Sequence, residues 1–432
     1  MHGFACRRSV DPMSRRRLLV TLVAFGVFAS ALAASARADT VTDWNATAAA
    51  ALQSPGAVTP PAVPGAGQGA VSTAHLAMVH AAVYDAINAI DGGHEPYVSS
   101  PAAEPSYSQD AAVAAAARHV LINGGLGVPA ARLPVIEAAY QATLAGTSPG
   151  PSREGGIATG VAAATALLAA RAGDGRFGAL TFTVGTTPGG WVPTSGVIDP
   201  GAWLQGVRPF VLRDPDLFRG RGPNALHTRA YAAEFNEVKA IGRATGSTRT
   251  QAQTDAANFW GAGNATATMA NILRSVASTQ GGTLADHARV LARAYANAAD
   301  ALIVTWRDKA RYSFWRPITA IREAASDGNR DTEAEAGWTS LIAAPPYPDH
   351  PSGLAAFGCS VVDTLQHFYG RDAATFTGTS PASTRTFTSF SQMCDDIVDA
   401  RVWSGIHFRF ADEEAAKIGR KVAHWGNRHA FR

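Results

Sequence analysis

Residues 73–90, TAHLAMVHAAVYDAINAI, show a helical pattern that is apolar on most of its faces. Polar residues are few and scattered, so the segment lacks the continuous polar face that a surface helix presents to water. A helix of this kind lies in the protein interior. This stretch therefore predicts a core that is built around helices.

The rest of the chain extends this pattern. Alternating residues typical of strands are scarce, with 180–184 the one tempting candidate. Residues 173–223 are rich in Gly, Pro, Trp and Phe, which predicts an ordered, irregular connection around a helical body. We therefore predict an all-α, multi-helix bundle with long irregular connections. Further helices are expected over 111–122 (capped by Asp110), 157–172, 225–244, 251–259, 267–277 and 284–305, after Ser352, before Arg401, and over 412–425.

The first 38 residues have the features of an export signal. Residues 14–19, SRRRLL, give a basic, twin-arginine-like start, and an apolar run follows over 18–34. Ala36-Arg37-Ala38 provides a cleavage site before Asp39. The alternative is a membrane anchor, for which the apolar run is short. We expect a protein exported to the periplasm or secreted.

Charge and domain organisation follow from this assignment. Loss of residues 1–38 removes six arginines and one aspartate, which leaves 31 basic and 33 acidic residues and a formal net charge of −2. This balance argues against nucleic acid or an anionic membrane as a partner. No later apolar run is long enough to span a membrane. We divide the mature chain into helical parts 39–245 and 246–432, most simply one continuous domain.

Three segments between residues 309 and 412 place cationic and hydrogen-bonding groups at regular separations. Lys309 and Arg316, seven residues apart, are expected on one helical face, with a change of direction at Pro317. Pro351-Ser352-Gly353 predicts a helix start, whose free N–H groups can hold an oxyanion. The third segment is RVWSGIHFRFAD, residues 401–412, with Arg401 and His407.

Separately, these segments have ordinary interpretations: a solvated helix face, a turn and a structural histidine. Together they supply what a buried tetrahedral oxyanion requires, which is about three cations, N–H donors and a neutral imidazole. Trp306 and Trp315 flank Lys309 and are expected in the aromatic core, with a place beside the anion as the alternative. The segments therefore predict an oxyanion site in the C-terminal half.

In this order the segments resemble the signature of vanadium-dependent haloperoxidases and type 2 phosphatidic-acid phosphatases: Lys-x6-Arg-Pro, Pro-Ser-Gly-His and Ser-Arg-x5-His. The chain has KARYSFWRP at 309–317, PSGL at 351–354 and ARVWSGIH at 400–407. AMVHAAVYDAINAI and WSGIHFRFADEEA look similar to the soluble bacterial haloperoxidase-like branch. The likeness extends over almost the whole chain after the signal.

The resemblance implies an all-α fold and a set of site residues. Lys309, Arg316, Ser352, Gly353 and Arg401 would hold the oxygens of vanadate, with phosphate as a competing occupant. A peroxidase would use His407 as the vanadium ligand and would take hydrogen peroxide, halide and an organic acceptor. A phosphatase would use the same histidine as its phosphorylated nucleophile.

Two departures from the signature bear on activity. Ala400 replaces a serine that makes a minor contact, and Leu354 replaces the histidine that acts as acid and base. Leucine argues more strongly against phosphatase than peroxidase, because a leaving alkoxide needs a proton donor. His350 is a possible substitute, expected at the pocket rim. We therefore expect a vanadate-dependent haloperoxidase, with an acid phosphatase and a non-catalytic oxyanion binder as alternatives.

The resemblance also bears on the cysteines. Cys359 follows Ser352 by seven residues, and Cys394 precedes Arg401 by seven. If both helices reach one anion from antiparallel directions, the two cysteines lie at one level on neighbouring helices. We predict a Cys359–Cys394 disulfide, which export permits, with two buried thiols as the alternative.

Overall fold

The computed structural model describes residues 39–53, 64–98 and 101–432, and the predicted export signal lies outside these residues. Within this part the chain forms thirteen α-helices and one two-stranded antiparallel sheet, so the predicted all-α class is confirmed. The helices are α1 Thr40–Leu52, α2 Gly69–Asp91, α3 Gln109–Asn123, α4 Leu133–Ala145, α5 Pro151–Ala170, α6 Arg229–Ile241, α7 Gln251–Gly261, α8 Ala265–Gln280, α9 Leu284–Tyr312, α10 Pro317–Glu323, α11 Gly353–Tyr369, α12 Phe390–Trp403 and α13 Arg409–His429; the strands are β1 Ala373–Thr379 and β2 Thr384–Ser389.

Helix α2 is buried along nearly all its length, as its apolar sequence predicts. It packs against α3, α5 and the long helix α9, so the N-terminal and C-terminal halves of the chain share a core. Helix α9 itself is buried over most of its 29 residues, and its first turn carries a capping box between Thr283 and Asp286.

Helices α9, α11 and α13 pack together in the C-terminal half. Gly419 permits the close approach of α13 to α11, because a Cβ atom there would lie 2.3 Å from the carbonyl oxygen of Ala356. The N–H of Ser352 donates to the carbonyl of Ala411 at 2.9 Å. This bond fixes the start of α11 against the start of α13.

The irregular connection over residues 173–223 is held by carboxylates of α9. Asp300 accepts hydrogen bonds from the N–H groups of Phe210, Val211 and Leu212 at 2.5, 2.8 and 2.8 Å. Asp308 accepts one from Gly220 at 2.7 Å. These carboxylates accept backbone N–H groups that a helix or sheet would otherwise pair, and they anchor the connection to α9.

Several local predictions were wrong. Residues 180–184 form no strand, since Leu180 and Val184 are exposed and no neighbouring strand pairs with them in the described chain. Helix α3 is capped by Ser108, whose Oγ accepts from the N–H of Ala111 at 3.2 Å, while Asp110 instead accepts from Thr40 Oγ1.

None of the described helices combines the length and apolarity that crossing a membrane would require.

A candidate oxyanion site between helices α9, α11 and α12

Lys309 and Arg316 approach each other across a helix end rather than along one helical face. Helix α9 ends at Tyr312, and Ser313 adopts a left-handed conformation with φ of 38°. Arg316 then precedes the first residue of α10. The expectation of one shared face is therefore wrong, because the chain turns at Ser313. Both side chains are nevertheless fully buried and close to the same chain segment, residues 347–349.

The ammonium group of Lys309 is held by backbone carbonyls. Its Nζ donates to the carbonyl oxygens of Pro348 and Asp349 at 2.6 and 2.9 Å. It also lies 4.9 Å from the centre of the Tyr347 ring. Burial holds the pKa of Lys309 well below its ordinary value, and the positive charge of Arg316 lowers it further. A bound anion would favour the charged form of this lysine.

Arg316 is oriented by two carbonyls and keeps one nitrogen free. Its Nε donates to Tyr347 at 2.9 Å, and its Nη1 donates to Ile406 at 2.8 Å. Among the residues that the structure describes, none accepts a hydrogen bond from its Nη2. A buried guanidinium nitrogen without an acceptor costs stability, and an oxyanion bound here would supply the acceptor.

Ser352 and Gly353 form the start of α11. The side chain of Ser352 makes no capping bond, and its fully buried Oγ has no aligned partner in the described chain. The N–H groups of the first turn have no acceptor within the helix. Gly353 lies against Trp306, where a Cβ atom would be only 2.9 Å from Cζ3 of the indole. Glycine therefore lets the helix start and the indole approach each other.

Arg401 contributes a third cation from the last turn of α12. Its Nη1 lies 3.4 Å from the carbonyl oxygen of Trp260, and its Nε has no acceptor among the described residues. Burial lowers the pKa of Arg401, while Tyr347 and Asp412 nearby act in the opposite direction. The side chain is 7% exposed, so its charge is poorly screened by water.

His407 lies in the turn between α12 and α13. Its Nδ1 is 2.8 Å from Oδ1 of Asp349, and its Nε2 is 3.2 Å from Nη1 of Arg316. Burial holds the pKa of His407 well below its ordinary value, and Arg316 and Lys309 lower it further. The imidazole is therefore neutral near pH 7. With its proton on Nδ1, facing Asp349, the ring has its lone pair on Nε2, where it accepts a hydrogen bond from Nη1 of Arg316.

Asp349 and Asp412 complete the site and were not identified from the sequence. Both are fully buried; Asp349 contacts Nδ1 of His407 at 2.8 Å, and Asp412 lies beside Ser352 and Arg401. Burial raises the pKa of Asp349 to about 7, although Arg316 and Lys309 lower it. Burial also raises the pKa of Asp412 well above its usual range, with Ser352 and Arg401 acting against this. The sequence feature that could have pointed to these two aspartates is their position next to the motif segments.

Leu354, at the position of the missing histidine, and His350, its suggested substitute, have different surroundings. Leu354 lines a cavity of about 430 Å³ that also reaches Gly353 and Arg401. His350 is buried, with its Nε2 donating to the carbonyl of Arg221 at 2.7 Å, so the expected rim position is wrong. Its ring is fixed by the packing of the loop, and burial lowers its pKa to about 4.

The remaining predicted residues have definite places. Trp306 lines the cavity, whereas Trp315 packs in an aromatic cluster with Phe314. Cys359 on α11 and Cys394 on α12 are joined by a disulfide, with their Cα atoms 4.9 Å apart. The bond ties together the two helices whose ends carry Ser352 and Arg401.

We call Lys309, Arg316, Ser352, Gly353, Arg401 and His407 the cradle. It brings together three cationic side chains, and Arg316 Nη2 and Arg401 Nε are buried donors without acceptors in the described chain. This arrangement fits a tetrahedral oxyanion, vanadate or phosphate, better than a divalent cation. In agreement, no cluster of metal-binding side chains is found among the residues that the structure describes.

Comparisons with known proteins agree with this geometry. Residues 289–432, which contain the whole cradle, match the family model of the VCPO second helical-bundle domain. A segment is 31% identical over 107 residues to the vanadium chloroperoxidase of Curvularia inaequalis. This match covers 22% of the chain and spans only 17% of the length of that relative.

Solved structures resemble the chain over almost its full length. A bacterial vanadium-dependent iodoperoxidase matches with a TM-score of 0.76 and 20% identity, covering 90% of this chain and 96% of its own. A bacterial vanadium-dependent chloroperoxidase in its apo form matches with a TM-score of 0.69 and 16% identity, covering 86% and 95%. The chain thus has the all-α fold of the vanadium haloperoxidases, and its C-terminal part, residues 289–432, is similar to the VCPO second helical-bundle domain.

Proposed function

We propose that the protein is a vanadate-dependent haloperoxidase, which oxidises halide with hydrogen peroxide and passes the oxidised halogen to an organic acceptor. The observation that carries this proposal is the convergence of three cations, unpaired donors and a neutral His407 in one buried place. The names of the similar proteins, an iodoperoxidase and chloroperoxidases, support the same chemistry.

The residues of the cradle would contact both the oxygens and the metal of vanadate. Lys309, Arg316, Arg401, Ser352 and the N-terminus of α11 would hold its oxygens, and Nε2 of His407 would bind the metal. When bound, vanadate supplies a fully oxidised, Lewis-acidic centre that activates hydrogen peroxide toward halide.

The protein residues prepare and maintain this centre. The Asp349 carboxylate, 2.8 Å from Nδ1 of His407, orients the imidazole and keeps its proton on that nitrogen. The carbonyls of Pro348 and Asp349 hold the Lys309 ammonium in place. Because Asp349 and Lys309 are buried, water screens their charges poorly.

Leu354 limits what the site can do with protons. No titratable side chain occupies this position at the first turn of α11, so the acid–base group that the resemblance places there is missing. Phosphomonoester hydrolysis requires a proton donor for its leaving group and is the reaction that leucine impairs most. We therefore favour halide oxidation, with phosphatase activity as an outcome of the test.

The test uses protein lacking the first 38 residues, stripped of bound anion and assayed with and without added orthovanadate. Peroxide-dependent bromination and iodination are expected only with vanadate, and they are lost in His407→Ala. His424→Ala, an exposed histidine on α13, is the matched control and keeps activity. Phosphate-ester hydrolysis without halogenation would instead assign a phosphatase, and inactivity in both assays would assign a binding protein.

We also propose that the protein is exported and that residues 39–432 fold as one continuous domain. Asp39 caps helix α1 through a bond to the N–H of Thr42 at 2.8 Å, which is consistent with a mature chain beginning there. N-terminal sequencing of the protein from its native host should begin at Asp39. A retained N-terminus would refute the cleavage, and two independent unfolding transitions would refute the single domain.

A further inference from the structure

Asp349 and Asp412 are buried carboxylates that contact different residues of the cradle. Asp349 contacts His407, whereas Asp412 is within hydrogen-bonding reach of the Ser352 hydroxyl. Asp412 has no exposed surface and lies in the first turn of α13. The two carboxylates therefore have separate roles, and that of Asp412 acts through a hydroxyl group rather than on the imidazole.

The position of Asp412 beside Ser352 is fixed by the backbone. The N–H of Ser352 donates to the carbonyl of Ala411, the residue before Asp412, at 2.9 Å. Further along α13, Gly419 lies against α11, where a Cβ atom would be 2.3 Å from the carbonyl oxygen of Ala356. These two contacts hold the beginnings of α11 and α13 together, so the carboxylate and the hydroxyl stay adjacent.

The surroundings of Asp412 favour its protonated form. Burial raises the pKa of Asp412 well above its usual range, and the negative charge of Asp349 raises it further. The bond from Ser352 acts against this rise. The cationic side chains that also oppose it are Arg401, Arg409, Lys309 and Arg316. An oxyanion bound among these cations would offset their charge and would keep the proton on the carboxyl.

The Ser352 hydroxyl can connect Asp412 to a bound oxyanion. A serine hydroxyl donates one hydrogen bond and accepts two, and its hydrogen rotates to suit its partners. Ser352 is fully buried and makes no capping bond to α11, so its hydroxyl is not committed to the helix. It can therefore accept from a protonated Asp412 and donate to an oxygen of the anion at the same time.

Leu354 leaves the first turn of α11 without a group that holds a proton. The oxidation of a halide ion by hydrogen peroxide to hypohalous acid and water consumes a proton, so the proposed reaction needs a donor. His350 does not serve, because its Nε2 faces the carbonyl of Arg221 at 2.7 Å and burial lowers its pKa to about 4. Asp412, with Ser352 beside it, meets the requirement.

We propose that Asp412 holds a proton beside the cradle and delivers it through Ser352 to the bound oxyanion. The O–H bond of the Asp412 carboxyl breaks and a new one forms on Ser352 Oγ, while the former hydroxyl proton of Ser352 moves to an oxygen of the anion. The same path in reverse recharges Asp412 from water in the cavity that Gly353 and Leu354 line. The use of this proton in halide oxidation rests on the proposed function; its storage on Asp412 does not.

Infrared spectroscopy of protein loaded with inorganic phosphate tests the storage of the proton without catalysis. The carbonyl stretch of a protonated carboxyl differs from that of a carboxylate, and we expect a protonated band near neutral pH that disappears in Asp412→Asn. Glu413→Gln, which changes an exposed neighbour on α13, is the matched control and keeps the band. A protonated-carboxyl region that Asp412→Asn leaves unchanged would overturn the proposal.

Turnover at saturating vanadate tests the delivery of the proton. Asp412→Asn keeps the size of the side chain but has no acidic proton, so halogenation should fall about 100-fold. Wild-type turnover should decline as pH rises through the raised pKa of Asp412, because the donor is then lost, and the variant should lack this dependence. Adding Ser352→Ala to Asp412→Asn should cause no further loss, because both changes interrupt one path.

Leu354→His separates the loss of a proton from damage to the fold. Added to Asp412→Asn, it should restore turnover to at least the wild-type level, because an imidazole then supplies the proton directly. Wild-type turnover in Asp412→Asn, or no recovery with Leu354→His despite unchanged thermal melting, would overturn the delivery step. A wild type that shows the infrared band but no vanadate-dependent halogenation would instead refute the proposed function and leave the stored proton in place.

Discussion

Helices α9 and α11 contribute to two buried polar clusters that differ in how far their hydrogen bonds are satisfied. In the first, which we call the closed cluster, Asn297 Nδ2 donates to Thr364 Oγ1 and Asn427 Oδ1, each at 3.0 Å. The cradle lies further along the same helices. Lys309 follows Asn297 by twelve residues, or about 18 Å of helix. There, donors on Arg316 and Arg401 lack acceptors in the described chain.

The difference separates stability from function. The side chains of the closed cluster supply hydrogen-bond partners to one another, so it joins three helices without needing a ligand. The cradle gathers like charges in a poorly screened interior, which costs stability until an anion is bound. We infer that the closed cluster and the apolar core hold the helices together despite the repulsion between the buried cations of the cradle.

The largest effect on stability should come from the disulfide, which lies between the two clusters along α11. Cys359 and Cys394 are 35 residues apart, and replacing both with serine should lower the free energy of unfolding by about 2–4 kcal/mol. Chemical denaturation measures this loss. An unchanged midpoint in the double serine variant under non-reducing conditions would contradict the prediction.

Anion binding should stabilise the protein through the cradle alone. Vanadate or phosphate at 100 times its dissociation constant should add about 2.7 kcal/mol to the free energy of unfolding. Lys309→Met should remove most of this gain, because it deletes a buried cation that faces the anion. Melting temperatures with and without the anion provide the measurement.

Asn297→Leu is the counterpart in the closed cluster. It should lower stability by about 1–3 kcal/mol, because Thr364 and Asn427 lose their shared partner. The stabilisation by added anion should persist in this variant. If Asn297→Leu abolished the anion effect, or Lys309→Met kept it, the division between the clusters would fail.

Restoring a titratable group at the cradle should raise activity. Leu354→His places an imidazole at the first turn of α11, where it can move protons beside the oxyanion; we expect turnover to rise about 10- to 100-fold. Steady-state halogenation with vanadate measures the gain. Leu354→Gln, polar but not titratable, is the control, and an equal gain there would exclude proton transfer as the cause.

The smallest effect should come from an ion pair distant from both clusters. Asp39 contacts Nδ1 of His287, which raises the pKa of His287, and the Asp39 pKa is lowered because its bonds to His287 and Thr42 outweigh burial. The ion pair therefore gives its full stabilisation between about pH 4 and pH 6.5, the pKa values of the two groups in the unfolded chain. Its stabilisation declines as pH rises through the raised pKa of His287, or falls through the lowered pKa of Asp39.

Asp39→Asn isolates this charge effect, because asparagine also caps helices well. The variant should lose about 0.5–1 kcal/mol near pH 5.5 and less near pH 8. Denaturation midpoints at the two pH values measure the difference. A loss that was equal at both would show that the cap, rather than the ion pair, is responsible.

The sequence predicted the helical class because long apolar patterns, such as residues 73–90, have few alternatives to a buried helix. The order of the motif segments led to six residues that the fold brings to one buried place. The shared face of Lys309 and Arg316 was mispredicted, because no residue pattern announces the left-handed turn at Ser313.

Other features depend on contacts between distant segments. The contact of Asp349 with His407 joins residues 58 positions apart, and an aspartate before a helix start has many ordinary roles. The strands β1 and β2 are short and rich in threonine, and no strand was predicted there from the sequence. Tertiary packing, rather than local preference, decides such elements.

The most direct test of the account is a calorimetric titration of orthovanadate into anion-free wild-type protein and into His407→Ala, with His424→Ala as the control. We predict one site per chain in the wild type and the control, and affinity about 100-fold weaker in His407→Ala because the ligand nitrogen is gone. Equal affinity in all three proteins would contradict the assignment of His407 and with it the proposed centre.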